Sequence, residues 1–407
     1  MRKIETISIR ITLYIYALIL SFVFTSCNND NSPLEPNIET RGGLISSTQL
    51  PSITKEFIKT YLDSAHISID AKYDVDAYKI IYYTDDTKGN LTVASGVLFF
   101  PKGQDNLPLI SLHHGTQTDR SKVGSVSRFN APEGIIGAAL GYYSLVPDYL
   151  GLGESKVLHP YLYAKTSADA VIDFIRACRK EAENLNIKLN GQVFLAGYSE
   201  GGYVTLAAHR EIQLHYSDEI NVTASSPMAG PYDLYLTSKT ILKNTNYDKP
   251  SYMAYLAAAY NSIYDWNNLD GIFNSPYAEM IPSLIDGTKT VDDIDAKLSH
   301  DLTKLFTQNF LNTFLDGTEK DFSDALRENS LIDWTPAAPI RFYHGSADQF
   351  VPYQNSIEAR DYFLARGANV ELVTIEGGDH ATSLMPSIIG AIDWFDSIRL
   401  GKVLAYR

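Results

Sequence analysis

The chain has 407 residues, 45% of them hydrophobic and 20% charged, a balance that excludes a disordered or fibrous protein and suffices for a sizeable core. At this length one large domain with an insertion, or two domains, is expected, because single cores stop growing at about 250–300 residues. The formal net charge of −14, with no basic cluster along the chain, excludes nucleic acid as a partner, since a polyanion would be repelled before contact.

Arg2, Lys3 and Arg10 flank an uncharged run from Ile11 to Phe24, the layout of a secretory signal and too short to span a bilayer comfortably. The run stops at Phe24-Thr25-Ser26-Cys27, where a small residue before a cysteine resembles the lipobox at which bacterial lipoproteins are cleaved and acylated. The resemblance implies a signal peptide over residues 1–26, lipid on Cys27 as the one contact with a membrane, and a place in the bacterial cell envelope. Residues 27–50, opening with Asn28-Asn29-Asp30-Asn31-Ser32-Pro33, read as a polar tether. A plain signal peptide with an incidental cysteine is the alternative. The other cysteine, Cys178, shares a helical pattern with Val171, Phe174 and Ile175 and reads as a buried apolar position. With Cys27 acylated, the mature chain has no disulfide, and its stability rests on packing.

Two β-branched and aromatic runs, Ala77 to Thr84 and Leu91 to Phe100, are separated by the turn-rich Asp85-Asp86-Thr87-Lys88-Gly89-Asn90 and read as an antiparallel hairpin. The rhythm then changes to strand Leu107 to Leu112, helix Glu133 to Leu140, strand Tyr143 to Val146 and helix Ser167 to Asn184. Strand Gln192 to Ala196, helix Gly201 to Ile212 and strand Asn221 to Ser225 follow. Such alternation implies parallel crossovers and a mostly parallel sheet covered by helices on both faces, an α/β architecture.

From about Asp233 to Thr335 strand signals vanish. Tyr252, Tyr255, Leu256, Ala259, Tyr260 and Ile263 share one helical face, and Thr290 to Asp293 has capping-box spacing ahead of Ile294, Leu298, Leu302, Leu305 and Phe306. Alternation resumes with strand Ile340 to Tyr343, helix Ser356 to Arg366, strand Val370 to Ile375 and a helix from about Pro386 to Ile398. Residues 233–335 therefore read as a helical insertion within a domain formed by 51–232 and 336–407. An insertion into such a topology is expected over the functional edge of the sheet, as a cap; an all-helical linker packed elsewhere is the alternative.

The strongest local signal is Gly197-Tyr198-Ser199-Glu200-Gly201, placed between an apolar strand and a helix. A nucleophile elbow needs small residues two before and two after the serine, because the turn is too tight for side chains there. Serine is a poor nucleophile at neutral pH and needs a base, and in this topology an acid and then a histidine follow in chain order. Asp348 follows strand Ile340-Arg341-Phe342-Tyr343, and His380 follows the last strand in Gly377-Gly378-Asp379-His380, so both lie on loops at the sheet edge where α/β proteins bind ligands. Asp333, the nearest rival acid, precedes its strand and would project from the other edge. His113, His114, His159 and His344 also lie near strand ends, where packing roles compete with chemistry. Negative charge developing on an attacked carbonyl calls for two backbone amides: that of Glu200, and one from His113-His114-Gly115-Thr116, with Thr116 favoured and Gly115 the alternative. No HExxH motif or close His/carboxylate cluster calls for a metal, and the chemistry requires no cofactor.

From about Tyr73 onward the chain resembles the α/β-hydrolase superfamily, and within it the secretory lipase, or lipase A-like, family. The resemblance rests on Pro147-Asp148-Tyr149-Leu150-Gly151-Leu152-Gly153, the elbow, Asp348, Asp379-His380 and a helical insertion before the acid strand. It implies the α/β-hydrolase fold and hydrolysis of a small-molecule ester through an acyl-enzyme, with Ser199, Asp348 and His380 as the triad. Asp148 and Tyr149 then shape their loop. The insertion departs from an aliphatic cap in its tyrosines (Tyr232, Tyr235, Tyr247, Tyr252, Tyr255, Tyr260, Tyr264 and Tyr277), which either pack half-buried or line a pocket for an acyl chain, an aromatic acid or a sugar face. Other readings of the same scaffold are a serine peptidase or a lipase on the same triad, or a binding lipoprotein without catalysis, whose mark would be a lost triad member.

Overall fold

A computed structural model describes residues 39–401; the signal segment, Cys27 and the tether up to residue 38 lie outside the described residues. The strands are β1 (Leu44–Ile53), β2 (Val75–Asp85), β3 (Leu91–Pro101), β4 (Leu107–His113), β5 (Tyr143–Pro147), β6 (Leu189–Tyr198), β7 (Ala224–Met228), β8 (Ile340–Gly345) and β9 (Val370–Ile375). They form one sheet in the order β1-β2-β3-β5-β4-β6-β7-β8-β9. β1, β2, β3 and β5 pair antiparallel in turn, and every pair from β5 to β9 is parallel.

The expected hairpin is present as β2 and β3, in register from Asp85↔Leu91 to Val75↔Pro101. Asp86 Oδ1 closes its turn by accepting from the amides of Lys88 and Asn90, both at 2.8 Å. Residues 44–50, read as tether, are instead part of β1 on the sheet edge. Its two leucines and run of serine and threonine carry too little apolar periodicity to stand out, but pairing with β2 supplies the ladder. Arg41 fixes the approach to this strand through Asp169 at 2.6 Å and Asp173 at 3.1 Å.

Helices α1 (Lys55–Ser64), α2 (Pro132–Ala139), α3 (Ala164–Asn184) and α4 (Glu200–His215) precede the insertion. β6 shows how they cover the sheet. Val193 and Leu195 join the core that contains α3 and α4 residues such as Phe174 and Leu206. Phe194 and Ala196, on the alternate face, join Ile135 and Ile136 of α2 in a second core. All residues of β4, β5 and β7 are buried, as parallel strands covered on both faces must be. The strand expected at Asn221 to Ser225 lies three residues later, as β7. Pro227 and two serines hide it in the sequence, whereas pairing with β6 and β8 overrides their poor strand preference.

Eight helices and no strand separate β7 from β8: α5 (Leu234–Leu242), α6 (Pro250–Ile263), α7 (Leu269–Ile272), α8 (Tyr277–Leu284), α9 (Val291–Asp295), α10 (Leu302–Leu305), α11 (Gln308–Asp316) and α12 (Asp321–Glu328). The capping box at Thr290 and Asp293 forms in both directions. The apolar run behind it is split between α9 and α10, because Asp301 restarts the helix by accepting from the Thr303 amide at 3.0 Å. α13 (Gln354–Leu364) and α14 (Leu384–Arg399) complete the described chain, with Trp394 and Phe395 of α14 in the second core.

Candidate active site

β5 and β6 lie on opposite sides of β4, so the chain order reverses there and the carboxyl ends of these strands face a topological switch point. β6 delivers Ser199 to that edge. Its backbone sits at φ 61°, ψ −122°, a conformation that side chains other than glycine avoid, held by the Ser199 amide donating to the Met228 carbonyl at 2.9 Å. A Cβ on Gly201 would meet the carbonyl of His113, and one on Gly197 the carbonyl of Gly201. Backbone cannot yield as a side chain can, so the turn requires glycine at both places.

Asp348 stands three residues beyond β8. Its Oδ1 accepts from the amides of Phe350 and Val351 at 2.8 and 3.0 Å and its Oδ2 from His380 Nδ1 at 2.6 Å, while His344 Nε2 lies 3.0 Å from the Val351 carbonyl and 3.2 Å from the same Oδ2. Burial alone would push this carboxyl up, but the hydrogen bonds and charge of the two histidines outweigh it and hold Asp348 well below the usual carboxylate range. His380 lies beyond β9 on a loop shaped by Asp379, whose Oδ1 accepts from the amides of Ala381 and Thr382 at 3.0 and 2.7 Å. With Nδ1–H committed to Asp348, the other ring nitrogen, Nε2, is the one available as a base.

The three sequence-selected side chains are thus brought to one region in two steps. Asp348 and His380 are in direct contact. Ser199 adjoins them through Tyr198, whose hydroxyl donates to the His380 carbonyl at 2.7 Å and whose ring lies 5.1 Å from the imidazole. Among the described residues no hydrogen bond joins the Ser199 hydroxyl to His380. Gly115 packs beside the elbow, since a Cβ built on it would stand 3.7 Å from Ser199 Cβ. Thr116 follows it, with its hydroxyl 2.9 Å from that of Tyr161. The Glu200 amide belongs to the first turn of α4, where N–H groups have no acceptor within the helix.

The neighbouring histidines divide by role. His113 is a plug: burial pushes its imidazole down to about 3, and it sits between Thr205 Oγ1 at 2.7 Å and Ser111 Oγ at 3.0 Å. His114 lies against Tyr149, ring centroids 4.2 Å apart, while the Tyr149 hydroxyl donates to the His114 carbonyl at 2.8 Å. Asp148 accepts from the Ser95 hydroxyl at 2.6 Å and the Ser125 amide at 3.2 Å. Asp148 and Tyr149 therefore brace the loops around the elbow. Sequence reasoning left two contacts unseen: the second histidine on Asp348, and the Glu200 side chain, which meets His159 Nε2 at 2.7 Å. A carboxylate next to the nucleophile, inside a helix start that must be buried, was the available signal for the latter.

Ser199 and Glu200 border a cavity of about 30 Å³ whose other walls include Tyr161, Tyr247, Tyr252, Met253, Leu234 and Phe350. Several belong to the insertion, which thus shares the walls of this cavity with Ser199. The insertion's tyrosines split between the two expected uses: Tyr247 and Tyr252 face this cavity, whereas Tyr260 donates to the Leu162 carbonyl at 2.9 Å and Tyr264 stacks on Trp266 at 5.4 Å.

Comparison with known proteins agrees with this frame. The sequence model of the secretory lipase family matches residues 135–404. Lipase 9 of Candida albicans is 26% identical over 270 residues, covering 62% of this chain and 55% of that one, so this chain spans about half the length of that relative. Lipase 6 of the same organism is 23% identical over 360 residues, covering 82% and 75%. Among solved structures, the rice cell wall degrading esterase LipA from Xanthomonas oryzae superposes with a TM-score of 0.80 at 28% identity, over 90% of this chain and 99% of that one. Candida antarctica lipase A in its closed state gives 0.70 at 16% identity, over 90% and 84%, a likeness of fold alone. With an elbow on β6, an acid after β8, a histidine after β9 and a family match running from α2 through α14, this chain belongs to the secretory lipase family and has the α/β-hydrolase fold.

Proposed function

We propose that the chain is a serine hydrolase of carboxylic esters, with Ser199 as nucleophile, His380 as base and Asp348 as the residue that orients it. The observation that carries this reading is the 2.6 Å contact between His380 Nδ1 and Asp348 Oδ2, beside an elbow that holds Ser199 at φ 61°. Ser199 Oγ attacks the ester carbonyl while His380 Nε2 takes its proton, and Asp348 stabilises the imidazolium. The amides of Glu200 and Thr116 receive the oxyanion. The alcohol leaves with the proton from His380. A water activated by the same nitrogen then releases the carboxylic acid and frees the serine.

Residues 233–335 act as a cap over this machinery. Tyr247, Tyr252 and Met253 of the cap stand in the wall of the cavity that Ser199 borders, so the cap shapes the space that substrate enters. Tyr247 and Tyr252 in the cavity wall favour a small or acylated-carbohydrate ester, met in the bacterial envelope where lipid on Cys27 holds the enzyme. Ser199→Ala is expected to abolish turnover of a short acyl p-nitrophenyl ester and labelling by a fluorophosphonate while leaving the thermal transition in place. Wild-type turnover in that variant, or cleavage of peptides alone by the native chain, overturns the reading.

A further inference from the structure

Glu200 follows the nucleophile, and its side chain is almost wholly buried. A bare carboxylate at that position would oppose the negative charge that its own amide is placed to stabilise, at a distance no longer than one side chain. Its Oε2 has no hydrogen-bond partner, so no donor from the protein compensates that oxygen. The partner of Oε1 is His159 Nε2 at 2.7 Å, and His159 Nδ1 lies 2.7 Å from the Leu150 carbonyl.

Those two contacts count protons. A carbonyl oxygen only accepts, so Nδ1 must carry a hydrogen and donate it. The Nε2 to Oε1 contact then needs a second hydrogen, either on the imidazole facing a carboxylate or on the carboxyl facing a neutral imidazole. In both forms the pair as a whole is neutral. Without that hydrogen a lone pair would face a carboxylate at 2.7 Å in a buried site, which is strongly unfavourable. The rings packed on His159 add no charge of their own: those of Tyr149, Tyr161 and Tyr255 lie at 6.1, 6.0 and 5.6 Å, and burial pushes all three phenols up, keeping them neutral.

We propose that His159 is a positioning residue which keeps a proton against Glu200, so that the carboxylate beside the oxyanion hole brings no net charge to the reaction. The proposal rests on the serine-hydrolase reading for its kinetic consequence, but the proton is there whether or not an ester is turned over.

The test has two arms. His159→Gln keeps a donor toward Glu200 and removes the imidazole that neutralises it, so wherever Glu200 ionises its charge stands uncompensated. Turnover of a p-nitrophenyl ester is expected to lose about tenfold or more in kcat with KM little changed, less than the 10²–10³ typical for a whole oxyanion donor. Adding Glu200→Gln to that variant removes the charge and is expected to raise kcat severalfold above the single variant, a partial rescue that damaged packing would not give. A His159→Gln enzyme with wild-type kcat, or a double variant no faster than the single, overturns the proposal. The second arm, ¹⁵N and ¹³C NMR of the wild-type pair near pH 7, holds even if the variant does not fold or the chain proves inactive on esters. A hydrogen shared between Nε2 and Oε1 supports the proposal. A His159 protonated on Nδ1 alone, beside an ionised Glu200, overturns it and leaves the hydrolase reading standing. A wild type that neither turns over ester nor takes a fluorophosphonate sinks the hydrolase reading instead.

Discussion

His344 Nε2 lies 3.2 Å from Oδ2 of Asp348, the same oxygen that takes the His380 hydrogen bond at 2.6 Å. His344 Nε2 also lies 3.0 Å from the Val351 carbonyl, so its one hydrogen is divided between that carbonyl and the carboxylate. His344 Nδ1 lies 2.7 Å from Ser356 Oγ, which ties the acid loop to α13. His344→Leu is expected to lower kcat about tenfold, well short of the ~10⁴-fold cost of an Asp-to-Asn change at such a site, since the Phe350 and Val351 amides still hold Asp348. It should also lower stability by about 1–3 kcal/mol, the cost of leaving buried partners unpaired. Urea melts and ester kinetics on the same preparation check both. An unchanged kcat would make His344 a packing residue only.

Tyr247, carried by the insertion, donates its hydroxyl to the Phe350 carbonyl at 3.0 Å, two residues from Asp348. This bond ties the insertion to the acid loop. Tyr247→Phe keeps the ring and removes the tie, at about 1 kcal/mol. The expected result is faster labelling of Ser199 by a bulky fluorophosphonate, by up to about fivefold, the rate equivalent of that energy. Stopped-time labelling followed by intact-mass measurement reads it, and slower labelling would refute the tie.

Burial pushes His113 and His209 down to about 3, so both stay neutral in the folded chain over the range in which an unfolded chain protonates them. The unfolded state then binds more protons, and stability falls as pH drops from about 6.5 toward 3, by about 1.4 kcal/mol per pH unit for each histidine. His209, 2.8 Å from Ser225 Oγ, is the better test because it stands away from the elbow. His209→Gln is expected to flatten the decline in unfolding free energy below about pH 6 by roughly half the pair's share. Denaturant titrations of both proteins from neutral to acid pH measure the difference. Parallel curves would show that the site admits a proton when folded.

Lipid on Cys27 predicts that the mature protein sediments with membranes and that Cys27→Ser does not. A single acyl chain binds a bilayer only marginally, so stable recovery in the membrane fraction calls for two or more chains on that residue. Mass spectrometry of the mature N-terminus reads them directly. An unmodified residue at the cleavage point would leave a plain secretory signal.

The α/β alternation was legible because buried parallel strands are continuous apolar runs, and the elbow because its glycines answer to backbone sterics at Gly197 and Gly201. Asp348 and His380 were legible by position, each on a loop just past a strand. β1 was not, because Leu44 to Leu50 becomes a strand only through pairing with β2, a contact without local signal. Nor was the His159 to Glu200 bond, which joins positions 41 residues apart. β7 was displaced by three residues because Ser225, Ser226 and Pro227 argue against a strand everywhere except between two parallel neighbours.

The grip of Arg41 on Asp169 and Asp173 has a mechanical consequence. A force entering the chain from its amino-terminal side meets this charged clasp before it reaches the ladder between β1 and β2, so the first element under load is clamped to the long helix α3. Tension entering there is divided between the edge ladder and α3 instead of falling on the ladder alone.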